Sequence, residues 1–155
     1  MFVKNTWYVA LAAHELTDKP VARTICNQRM VFYRGEGGVA YALEDFCPHR
    51  GAPLSLGFVK DGQLVCGYHG LTMGCQGKTV SMPGQRVGGF PAIRRFAVQE
   101  QFGFIWVWPG EADRATPETL PVQAWYNHPD WAYGGGYYHI ACDYRLMIDN
   151  LMDLR

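Results

Sequence analysis

At 155 residues the chain has room for one domain, or for one domain and the start of another. It is 48% apolar and 14% aromatic, with Lys+Arg and Asp+Glu equal at 14 each; that suits a buried core and gives no basis for expecting nucleic acid or an anionic membrane as partner. No apolar run approaches a bilayer span and no signal-peptide core precedes Trp7, so the expected location is the cytoplasm.

Taken in order, Trp7 to Leu11 reads as a first strand, and His14-Glu15-Leu16 as a short turn closed by Pro20. Val21 to Ile25 and Arg29 to Tyr33 are apolar stretches around Asn27-Gln28. Gly35 to Gly38 is a turn into Val39 to Leu43. Asp61-Gly62 turns into Gln63-Leu64-Val65, Gln76-Gly77-Lys78 turns into Thr79-Val80-Ser81, and Met82 to Gln85 is a loop. Arg95 to Val98 and Phe104 to Trp108 form a last hairpin. Short strands punctuated by Gly and Pro, with almost no helical period, predict a mainly β domain of sandwich or barrel type over 1–109.

The composition then changes. Residues 110–130 are polar and read as a linker. Over 131–155, Trp131 to Ile140 resembles a strand broken by Gly134 to Gly136. Tyr144, Met147, Ile148, Leu151 and Met152 then recur at helical spacing after Asp143, a plausible N-cap. One strand and one helix are the start of a second, α+β domain, and the sequence ends at Arg155 without a helix C-cap signal.

The chemistry concentrates in Cys47-Pro48-His49 and Cys66-Gly67-Tyr68-His69: C-x-H, sixteen residues, then C-x-x-H. Each segment offers one thiolate and one imidazole. A two-iron, two-sulfide cluster of the Rieske kind needs that division, two Cys on one iron and two His on the other. The rival is a single zinc, which also accepts two Cys and two His. Zinc sites usually group like with like, whereas each segment here mixes the two. Gly51, Gly67 and Gly70 free the backbone, and Pro48 and Pro53 stiffen the first loop. Cys26, Cys75 and Cys142 form no disulfide framework and read as reduced, mostly buried apolar side chains. His14, His128 and His139 are isolated. Trp106 and Trp108 read as packing residues, and Arg94-Arg95 as a solvated pair.

Cys47 to Gly57 (C-P-H-R-G-A-P-L-S-L-G) and Cys66 to Gly70 (C-G-Y-H-G) resemble the two boxes of the Rieske non-haem iron aromatic oxygenases. The resemblance extends along the chain. It implies a [2Fe-2S] cluster on Cys47, His49, Cys66 and His69, and a catalytic domain with a mononuclear non-haem Fe(II) held by two His and a carboxylate. It also implies a homotrimer, an NADH-dependent flavin and iron–sulfur reductase as electron donor, and a methoxy-aromatic acid as substrate of an O-demethylating monooxygenase. The respiratory Rieske proteins carry an extra cysteine in each box; Gly51-Ala52 and Gly67-Tyr68 leave none. A potential at the low end of about −150 to +300 mV is expected.

Asn150 to Leu154 resembles the opening of the family's mononuclear-iron helix. Asp153 would then be the carboxylate joining a Rieske histidine to the neighbouring subunit's iron site, with Asn150 one turn before it. From spacing alone, Asp153 reads as an ordinary exposed carboxylate. Arg155 stands where the family has Thr, and the iron-ligating histidines fall beyond this sequence. A stand-alone Rieske ferredoxin is the alternative; it has no use for residues 110–155.

Overall fold

The computed structural model describes residues 2–126 and 128–153. These form two compact units that divide after Val122.

The first unit is built on a six-stranded antiparallel sheet. Its strands are β1 (Tyr8–Ala12), β2 (Val21–Ile25), β3 (Gln28–Arg34), β4 (Ala40–Glu44), β9 (Arg95–Gln101) and β10 (Phe104–Trp108), in the order β1-β10-β9-β4-β3-β2. Between β4 and β9 the chain leaves to build a second antiparallel sheet, β5 (Phe58–Lys60), β6 (Gln63–Val65), β7 (Thr72–Met73) and β8 (Thr79–Ser81). β5 and β7 are not legible beforehand: they are three and two residues long, and only their neighbours make them strands.

The alternation of β3 explains why this arrangement forms. Side chains of a strand point to opposite faces in turn, and here both faces are covered. Met30 and Phe32 pack with Leu11, Phe96, Ile105 and Val107 inside the large sheet. Val31 and Tyr33 face the other way, against Leu54, Leu64, Leu71 and Met73 of the small sheet and its loops. Leu43 of β4 joins this second core, while Ala42 joins the first. The two cysteines of the motif belong to the second core, so the two Cys-His segments are anchored in packed hydrophobic structure.

The segment expected as a linker packs, in its first half, against the β unit. Leu120 is buried with Trp7, Trp106 and Trp108, and the Trp7 indole donates to the Thr116 carbonyl at 3.0 Å. Trp106 and Trp108 are thus core residues. Arg94 is not simply solvated. Its guanidinium donates to the carbonyls of Pro109 at 2.8 Å and Gly110 at 2.6 Å, and to the Gln28 side chain, tying the β2–β3 turn to the end of β10.

In the second unit the strand expected over Trp131 to Ile140 does not form; three successive glycines interrupt it, and among the described residues of the unit no strand lies beside it to share a ladder. The helix does form, as α1 (Tyr144–Met152), with the Asp143 side chain accepting from the Arg145 amide as an N-cap. It ends at Met152, and Asp153 takes the C-cap position with its amide bonded to the Asp149 carbonyl. Leu154 and Arg155, part of the expected iron-helix match, lie outside the described residues. Cys142 is exposed and Cys75 half-buried, so of the three extra cysteines only Cys26 is a buried apolar side chain.

Candidate metal centre

The two cysteine segments adopt the same turn. The Cys47 amide donates to the Ala52 carbonyl at 2.8 Å, and the Cys66 amide to the Leu71 carbonyl at 2.8 Å. The turns close when Gly51 donates back to the Cys47 carbonyl at 2.8 Å and Gly70 to the Cys66 carbonyl at 3.0 Å. Both closing residues sit at positive φ, +72° and +74°, a conformation that costs glycine little and other residues more. In this frame the histidines are not equivalent. His49 is the second residue after its cysteine and His69 the third, so Tyr68 stands where the first turn has His49, and Arg50 where the second has His69.

The four side chains come together as two pairs. Cys47 and Cys66 are 1% and 2% exposed. Burial pushes the Cys47 thiol up from its ordinary pKa; the backbone amides of His49 and Arg50 point at it and pull the other way, while the neighbouring Cys66 thiol adds to the rise. A cation at this position would relieve that burden by stabilising the thiolates. His49 and His69 meet edge to face at the outer rim, ring centroids 4.7 Å apart, with His69 exposed. Desolvation, then the neighbouring His69 and Arg50, lower the His49 pKa, which favours the neutral imidazole that a metal needs.

Two buried soft donors on one side and two imidazoles on the other match the donor set of a mixed two-iron centre. The residues therefore fit a [2Fe-2S] group.

Three contacts frame the turns without any sequence signal to announce them. Phe90 stands edge-on to His49 at 5.9 Å. Tyr68, 65% exposed, lies over His69 with centroids 3.8 Å apart. Asp45, just before Cys47, is buried and holds Ser55. The Met82–Gln85 loop lies against the site: Met82 is buried in the same core as both cysteines, and a Cβ on Gly70 would stand 3.1 Å from Pro83.

A two-layered β domain with paired Cys-His turns is the architecture of a Rieske electron-transfer module. The Rieske [2Fe-2S] domain model matches residues 6–97, and the chain belongs to that family. It is 66% identical over 154 residues to a vanillate O-demethylase oxygenase subunit from Pseudomonas sp. (strain HR199 / DSM 7063), a match covering 99% of this chain and 44% of the relative. It is 44% identical over 156 residues to the oxygenase component of dicamba O-demethylase from Stenotrophomonas maltophilia, covering 99% and 46%. The crystal structure of apo dicamba monooxygenase superposes with a TM-score of 0.90 at 44% identity, covering 99% of this chain and 48% of that one. The chain thus spans less than half the length of these relatives. Among the described residues no helix is long and apolar enough to cross a membrane.

Proposed function

We propose that Cys47 and Cys66 hold one iron, and His49 and His69 the other, of a Rieske [2Fe-2S] cluster, and that the chain is the electron-transfer part of an O-demethylating monooxygenase. The observation carrying this reading is the pairing of two buried thiols with two outward imidazoles from equivalent turns. Such a cluster, when bound, supplies storage and transfer of single electrons. The chain's own residues do the rest: the paired turns orient the ligands, the Leu54–Leu71 core excludes water on the thiolate side, and the exposed His69 edge is where electrons pass.

In the longer protein, the substrate class is a methoxy-aromatic acid. The 66% identity to a vanillate O-demethylase subunit favours vanillate, with O2 and NADH consumed and protocatechuate and formaldehyde released. Electrons would come from NADH through a flavin and iron–sulfur reductase in the cytoplasm, and the assembly would be a homotrimer. Residues 1–109 form the Rieske domain in this reading, 110–130 the connection, and 131–155 the start of the catalytic domain. Asp153, at the end of α1, would be the carboxylate through which a Rieske histidine of one subunit communicates with its neighbour's iron site, with Asn150 one turn earlier beside it.

Iron and acid-labile sulfide per purified chain test the cluster: two of each are expected, and one zinc without sulfide would overturn it. Asp153→Asn in the longer protein is expected to leave the cluster reducible while uncoupling it from oxygen consumption; unchanged turnover would remove Asp153 from the path.

A further inference from the structure

Beside the first ligand turn the chain buries a charge. Asp45 is 4% exposed, the one buried acidic or basic side chain among the described residues. Its Oδ1 accepts the Ser55 amide at 2.8 Å and its Oδ2 accepts the Ser55 hydroxyl at 2.7 Å. Both oxygens serve as acceptors, the arrangement of a carboxylate. Its cationic neighbour, Arg29, comes within 3.9 Å of Oδ2, but the Arg29 side chain is 61% exposed. A guanidinium in water is screened over about 10 Å at 0.1 M salt, whereas a charge enclosed by protein is screened much less.

Asp45 and its anchor Ser55 each stand within two residues of a member of the thiolate core. Asp45 precedes Cys47 by two residues, so their Cα atoms lie within about 7 Å. Ser55 follows Leu54, which packs with Cys47 and Cys66 in one core. We propose that Asp45 is a fixed negative charge that holds the reduction potential of the cluster down, kept in place by Ser55. The inference rests on the cluster reading above. Reduction adds one electron to the cluster, and a buried negative charge nearby opposes that addition. The reduced module therefore passes its electron on more readily.

Asp45→Asn keeps the size of the side chain and an acceptor for the Ser55 amide while removing the charge. A redox titration of the cluster-loaded chain, followed by its EPR signal, is expected to show a higher midpoint, and the shift should persist at tenfold higher salt. Glu44→Gln removes an exposed carboxylate one residue earlier, and its smaller shift should fade with salt. Ser55→Ala removes the hydroxyl bond but leaves the charge, and should leave the midpoint near that of the parent. An unchanged midpoint in Asp45→Asn would overturn the proposal, as would an equal shift in Ser55→Ala, which would assign the effect to loop geometry. Should Asp45→Asn hold no cluster, Asp45→Glu and Asp45→Gln carry the comparison, being equal in size and different in charge. A midpoint higher in the Gln variant supports the proposal, and equal midpoints overturn it. A parent chain without iron and sulfide would instead defeat the cluster reading, a separate outcome visible before any titration.

Discussion

Gly57 lies so close to Val65 that an added Cβ would stand 1.9 Å from the Val65 carbonyl oxygen. The two residues belong to the two Cys-His segments, and this backbone contact sets the distance between them. Gly57→Ala would push against backbone, which cannot rotate aside, so a loss of about 1–3 kcal/mol is expected, the usual cost of overpacking. Urea denaturation of the metal-free chain measures it, and iron content after reconstitution should fall in parallel. An unchanged urea midpoint would mean that the segments can separate freely.

The Tyr33 hydroxyl is buried without a hydrogen-bond partner among the described residues, and burial drives its pKa well above the usual phenol value. An unsatisfied buried polar group costs about 1–3 kcal/mol. Tyr33→Phe is therefore expected to raise the melting temperature, by roughly 2–4 °C for each kcal/mol recovered. A lower melting temperature would show that the hydroxyl has a use in the core.

His49 has a lowered pKa in the fold, first from desolvation and then from His69 and Arg50. The unfolded chain therefore takes up the proton before the folded one as pH falls, and stability declines below the ordinary histidine value. Above that value this group contributes no pH dependence. Metal-free chain melted between pH 8 and pH 5 should lose stability on the acid side, and His49→Asn should lose less. Equal losses would assign the effect to other groups.

Arg94 joins Gln28, Pro109 and Gly110 through one guanidinium. Arg94→Ala is expected to cost about 1.5 kcal/mol, the lower range for bonds to a charged group. Arg94→Lys should recover only part of it, because one ammonium lacks the planar fork. Chemical denaturation compares the three, and full recovery by lysine would contradict this account.

Local signals revealed part of this and tertiary context hid the rest. The β3 and β4 strands were legible because β-branched and aromatic residues run between turn-forming Gly and Asn. The four candidate ligand residues stood out because a Cys and a His recur twice at tight spacing. Phe58–Lys60 was not, since three residues carry no periodicity and depend on Gln63–Val65 for pairing. Trp131 to Ile140 misled because its aromatics favour a strand while no described residue of its unit pairs with it as a strand. Arg94 read as a solvated charge and Asp45 carried no signal of its own; only the return of the chain at Pro109 and Ser55 gives them partners.

The closeness of the Cys47 and Cys66 thiols, the second of which helps to raise the pKa of the first, has a bearing on how the protein is assembled. An empty chain presents two apposed sulfurs to any oxidant, so loading is a race between metal delivery and air. Chains purified aerobically without metal are expected to lose two titratable thiols of five and to resist reconstitution until a reductant is added. Five titratable thiols after prolonged exposure to air would show that the surrounding core keeps the pair apart. If the loss occurs, the order of events in the cell is constrained: iron and sulfide must arrive while the compartment keeps this pair reduced.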